Sequence, residues 1–87
     1  MKHEHPLITL RKRAGISRRE LAILAGVAYM AIYEVETGIY RGIPRALRKA
    51  LADMDADVPQ LEADIAAWRE ACSRALSARL RAERPSA

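Results

Sequence analysis

Between Ser17 and Gly38 the chain has room for two short helices and a tight turn, and for little else. Ser17-Arg18-Arg19-Glu20 is a capping box: the serine hydroxyl can accept from the third helical amide, and Glu20 can reach back to the serine amide. Leu21, Ala22, Leu24 and Ala25 follow as the apolar positions of the helix opened in this way. Gly26 ends it, since glycine takes the left-handed backbone that closes a helix without a steric penalty. A second helix runs from about Ala28 to Thr37 and stops at Gly38, with Val27, Ala31, Ile32 and Val35 on one side.

The same punctuation organises the rest. A preceding helix starts at Pro6, passes Leu7, Leu10 and Ala14, and stops at Gly15. Ile39–Ile43 reads as a loop. A fourth helix opens at Pro44, carries Leu47, Ala50 and Leu51, and dissolves into Asp53–Asp57. The fifth is the longest. Asp57 can cap it, Pro59 suits its first turn, Gln60 completes a second box-like pattern, and it reaches about Ala82. Its acids Glu62 and Asp64 come early and Arg79 and Arg81 late, which complements the helix dipole. Leu61, Ile65, Trp68, Cys72, Ala75 or Leu76, and Leu80 form one apolar stripe. The stripe can pack back on the preceding helices or pair with its copy in a second subunit, and some of its residues can do both. The predicted organisation is a flexible tail (1–5), a four-helix domain (6–56), a C-terminal amphipathic helix for dimerisation (57–83) and a second tail (84–87).

Composition narrows the class. There are 17 Ala and no Phe or Asn among 87 residues, and β-branched and aromatic runs are missing, so the expectation is an all-α chain without strands. A lone cysteine, Cys72, allows no intramolecular disulfide and has no metal-ligand set beside it. It reads as an ordinary small core residue, with an intersubunit disulfide as the sharper alternative. No apolar leader and no run of about 18 apolar residues is present, so a cytoplasmic location without a membrane span is expected. Both histidines, His3 and His5, sit in the tail, and no phosphate-binding glycine loop exists, so neither an enzyme nor a cofactor is expected. Met1-Lys2-His3 has the makings of a square-planar copper or nickel chelate, read as incidental. The charge is divided: residues 1–50 carry ten Lys/Arg against four Glu, and residues 51–87 carry five Arg against seven Asp/Glu. A basic first half points to a polyanionic partner.

Two short helices joined at Gly26 can set the first across a DNA backbone and the second into the major groove. The stretch Ile16-Ser-Arg-Arg-Glu-Leu-Ala-Ile-Leu-Ala-Gly-Val-Ala-Tyr-Met-Ala-Ile-Tyr-Glu-Val-Glu-Thr-Gly38 resembles the helix-turn-helix of the Cro/phage-repressor family, also called the XRE family. The landmarks are Leu21-Ala22, Gly26-Val27, Ile32 and Glu36-x-Gly38, and the likeness covers about residues 7–52. It implies an all-α, four-helix lambda-repressor-like DNA-binding domain, here followed by a long C-terminal helix. It also implies an ion pair between Arg11 and Glu36 that pins the first helix to the third; the bland alternative is a solvated Arg11. Phosphate contacts are expected from Ser17, Arg18 and Arg19 at the second helix N-terminus, which also offers free amides, and from Arg41 and Arg45. Arg48 and Lys49 read equally well as solvated surface.

By the same resemblance the groove-facing positions are Ala28, Tyr29, Met30, Tyr33 and Glu34. This set departs from the family pattern twice. Ala28 cannot supply the usual Ser or Thr cap, a loss of about 1 kcal/mol. No Arg, Lys, Asn or Gln lies between residues 20 and 40, so the bidentate donors that read guanine and adenine are missing. Ala28 and Met30 can touch thymine methyls, Glu34 can accept from a cytosine amino group, and Tyr29 and Tyr33 can reach phosphates or base edges. The alternative is that Tyr29, Met30 and Tyr33 form a protein-docking patch, since Tyr and Met are enriched at interfaces.

The implied function is a homodimeric, sequence-specific repressor or autoregulator that binds an inverted repeat in double-stranded DNA and acts by occupancy. The dimer would form through Leu61, Ile65, Trp68, Cys72, Leu76 and Leu80. Two rivals remain: an antitoxin that binds both DNA and a toxin, and a helix-turn-helix repurposed as a protein-binding adaptor. Twelve Arg against three Lys, with abundant Ala, suggest a GC-rich bacterial, phage or plasmid genome.

Overall fold

A computed structural model of the chain describes residues 4–83. The tail segments 1–3 and 84–87, and with them the chelate pattern at Met1-Lys2-His3 read as incidental, lie outside them. The described residues form five helices and no strand: α1 (Pro6–Ala14), α2 (Arg18–Ala25), α3 (Tyr29–Glu36), α4 (Arg45–Asp53) and α5 (Val58–Glu83). Most boundaries follow from local chemistry. Ser17 accepts from the Glu20 amide at 3.0 Å while the Glu20 carboxylate accepts from the Ser17 amide at 2.8 Å, so the capping box closes in both directions. Gly26 sits at φ 68°, and its αL geometry turns the chain sharply from α2 into α3. Ala28 opens α3 with no side-chain cap. Asp57 accepts from the Gln60 amide at 3.1 Å, but Gln60 donates forward to Asp64 instead of reaching back, so the second box is only half formed.

The core lies where the five helices converge. Leu7, Leu21, Ile32, Val35, Ile43, Leu47, Leu51, Val58, Leu61 and Ile65 are buried against one another. α2 packs on α3 and α4, while α1 packs on α3 and α5. Ile32 and Val35 therefore turn one side of α3 inward, and Tyr29, Met30 and Tyr33 stay on the outside. One expectation fails on α2: Leu24 is exposed, as is Ile23, because α2 is covered only on its Leu21–Ala22 side.

α5 does two different things along its length. Its first two turns complete the core through Val58, Leu61 and Ile65. Every residue from Ser73 to Glu83 is exposed. The helix thus overhangs the domain, and the molecule is 54 Å long with a radius of gyration of 15.3 Å, against about 12 Å for a compact chain of this length. This corrects the assignment of the whole stripe to dimerisation. Leu61 and Ile65 are used inside the chain, and Trp68 lies against its own domain. Leu76 and Leu80 alone stand clear of it, with Cys72 half-buried between the two parts.

The expected loose tail at 1–5 is also corrected for its last two residues. Glu4 pairs with Lys12 at 2.9 Å, which lowers its pKa. His5 is buried; its Nδ1 accepts from the Leu7 amide at 3.1 Å and caps α1. Its ring meets Trp68 of α5 edge-on, with centroids 4.7 Å apart. Burying the ring strips its polar edge of water, and Nε2 finds no hydrogen-bond partner among the described residues.

The cap requires a neutral imidazole with an unprotonated Nδ1. Burial pushes the His5 pKa below its ordinary value of 6.5, and nearby Arg69 acts in the same direction against the pull of Glu36. The unfolded chain therefore binds the proton more readily than the folded one, so stability is complete above pH 6.5 and falls as pH drops below it. Urea unfolding between pH 8 and pH 5 should show that loss. His5→Asn, which can still cap but does not titrate, should flatten the profile over this window.

Candidate nucleic-acid interface

The outer face of α3 is built from residues one turn apart. Tyr29, Met30 and Tyr33 are 47%, 56% and 42% exposed, Glu34 is half-buried, and Ala28 lies just ahead of them, exposed. Four of the five groove-facing candidates are thus exposed, and Glu34 is partly so. Glu34 is partly engaged, since the Tyr40 hydroxyl donates to it at 3.4 Å.

Behind that face sits a buried carboxylate. Glu36, the last residue of α3, has a side chain only 1% exposed. Arg11 of α1 donates to it through Nε at 2.8 Å and Nη2 at 3.4 Å, and Arg18 of α2 donates through Nε at 2.6 Å. Arg11 also donates to the Ile16 carbonyl at 3.1 Å. One carboxylate therefore ties together α1, α2, α3 and the α1–α2 turn. The expected Arg11–Glu36 pair is present, and Arg18 joins it.

Arg18, expected at the phosphate backbone, is also a partner of the buried carboxylate. Its Nε is committed to Glu36, its guanidinium lies over the Tyr33 ring at 5.3 Å, and Nη1 approaches the Tyr29 hydroxyl at 3.5 Å. The hydrogen bond to Glu36 raises its pKa further above the usual arginine value. Arg18 is held in place between a carboxylate and two aromatic rings, and only its outer edge remains available. The physical reason is that a single arginine leaves the buried Glu36 carboxylate with unsatisfied acceptor capacity. Ser17 is likewise occupied by the capping box, while helix geometry leaves the amides of Arg18 and Arg19 without an intrahelical acceptor.

Three other cations expected at phosphate stand free. Arg19, Arg41 and Arg45 are exposed, and no carboxylate lies within ion-pair distance of them among the described residues. Arg48 instead pairs with Glu62 of α5 at 2.6 Å, and Lys49 approaches Asp53 at 3.9 Å. Cations thus flank α3 in the chain on both sides: Arg18 and Arg19 at the start of α2, Arg41 and Arg45 in and beyond the loop that follows α3.

One neighbour of the loop after α3 was not foreseen from sequence. Arg69 of α5 donates through Nη1 to the Gly38 carbonyl at 2.6 Å and to the Tyr40 carbonyl at 3.1 Å. Gly38, at φ 87°, lies so close to Trp68 that an added Cβ would sit 2.9 Å from the ring. The available signal was a cation four residues after Ile65, on the apolar side of a helix. No protein-family model matches the chain, and no curated protein or solved structure matches it.

Removing the carboxylate while keeping both arginines leaves two partly buried cations without their partner. Glu36→Ala should destabilise the protein by about 3 kcal/mol in urea unfolding, while Arg19→Ala, at an exposed site, should shift it by less than about 0.5 kcal/mol.

Proposed function

We propose that the protein binds duplex DNA sequence-specifically and regulates transcription as a homodimer. In this reading α2 and α3 form the helix-turn-helix of a four-helix, lambda-repressor-like domain of the Cro/phage-repressor type. The observation that carries it is the outer side of α3, exposed and uncharged at Tyr29, Met30 and Tyr33, with exposed, unpaired arginines at the start of α2 (Arg19) and in and beyond the loop after α3 (Arg41, Arg45). Phosphate contacts would anchor the flanks through Arg19, Arg41, Arg45 and the amides at the start of α2, while α3 enters the major groove. The face carries no bidentate donor, so discrimination rests on thymine methyls at Ala28 and Met30, on cytosine at Glu34, and on DNA shape.

An inverted repeat needs two such faces about 34 Å apart. Leu76 and Leu80 continue the stripe of Leu61 and Ile65 beyond the domain edge, and a second copy of the overhang is the partner that the dimer requires. The two leucines are 49% and 58% exposed, a contact small enough for a dimer that exchanges readily. Occupancy of the operator is then sufficient for repression, with no catalysis and no cofactor.

A second reading is favoured by the same apolar surface. Tyr29, Met30 and Tyr33 could receive another protein, as an antitoxin receives its toxin or an adaptor its client. Mobility shifts on the region upstream of its own gene separate the two. Specific retardation of that duplex supports DNA binding, and equal affinity for unrelated duplexes or for none overturns it. Arg41→Ala/Arg45→Ala should lower the log–log salt slope by about 1.8. Met30→Ala should change base preference with little change in slope. Leu76→Asp/Leu80→Asp should halve the mass seen by light scattering; an unchanged mass rules out the overhang as the dimer contact.

A further inference from the structure

We infer that Arg69 is a positioning residue for DNA binding: from α5 it fixes the loop that carries Arg41, and so sets where that cation meets the phosphate backbone. This rests on the DNA-binding reading above. Beyond Ile39 few other contacts hold the loop. Ile39, Tyr40, Arg41 and Gly42 are all exposed, and the next buried side chain is Ile43. Ile39 is 64% exposed, so apolar packing does not locate this stretch of backbone. The Gly38 and Ile39 amides tie its start to the Val35 and Glu34 carbonyls at 3.1 and 3.2 Å; from α5 it is held by the Trp68 ring against Gly38 and by the Arg69 guanidinium on the Gly38 and Tyr40 carbonyls, the latter contact reaching beyond Ile39. The Tyr40 hydroxyl on Glu34 adds a longer, weaker contact at 3.4 Å.

Arg69 is suited to this role by what it lacks. No carboxylate lies within ion-pair distance of it among the described residues, so its donors go to backbone carbonyls. A charge-assisted bond to a carbonyl is stronger than a neutral one, and two on adjacent parts of a loop define its path. Arg69 also sits where α5 leaves the core and begins its overhang. The helix therefore reaches the interface through the loop and has no need to touch DNA.

A double-mutant cycle on the full-length protein tests this. Arg41→Ala should weaken operator binding several-fold and lower the salt slope by about 0.9. Arg69→Met should produce a comparable loss in both, and the double variant should bind no worse than Arg41→Ala by more than about twofold, since both changes remove the same contact. Arg69→Lys keeps a nitrogen that can reach the carbonyls and should stay within about threefold of wild type. Should Arg69→Met fail to fold, Arg69→Gln takes its place in the cycle. In the free protein, amide exchange at residues 39–42 should quicken in the Arg69 variant while that of α2 and α3 is unchanged. Fold losses that multiply in the double variant, or wild-type affinity in Arg69→Met, overturn the inference and leave the DNA-binding reading standing. A wild-type protein that retards no specific duplex overturns both.

Discussion

The buried carboxylate of Glu36 is the constraint around which the first three helices are arranged. A carboxylate removed from water is tolerated only where its acceptor capacity is met, and here two arginines from two other helices meet it. The consequence is geometric more than energetic. Desolvating three charges recovers little net stability, but the contact works in only one relative placement of α1, α2 and α3. Apolar packing alone leaves helices some freedom to slide, whereas forked donors on one carboxylate do not. The angle at which α3 presents Tyr29, Met30 and Tyr33 follows from that placement.

Arg18 joins this constraint to the surface. Its inner edge satisfies Glu36 and its face stacks on Tyr33, so a single side chain belongs both to the core and to the outer side of α3. The tyrosines gain order from it, since a ring braced by a guanidinium loses rotamer freedom before any partner arrives. Under the proposed reading this preorganises a recognition surface that has few polar groups of its own.

α5 is a second organising element with a divided character. Its first part is ordinary core, its middle clamps neighbouring backbone through Trp68 and Arg69, and its last turns carry exposed leucines. One uninterrupted stripe serves all three because a helix repeats its face every three to four residues regardless of what lies opposite. His5 belongs to the same middle region: it caps α1 and rests on Trp68, fastening the start of the chain to the long helix.

The helices themselves were legible from local signals. The Ser17–Glu20 box, the left-handed glycines and Pro6 mark ends by chemistry that acts within a few residues, so α1, α2 and α3 lie close to where the sequence predicts them. The inward set Leu21, Ile32, Val35, Leu47 and Leu51 was equally legible, because period and polarity suffice to sort the faces of a short helix. What tertiary structure alone decided is how single residues are shared between elements. Arg18 turned from a surface cation into a partner of Glu36, His5 from tail to buried cap, and Leu61 and Ile65 from dimer contacts to core, while Arg69 reached a loop about thirty residues away in sequence. Each of these depends on which groups the fold brings within a few ångströms, and neither hydrogen bonding nor desolvation between distant segments leaves a periodic mark in the sequence.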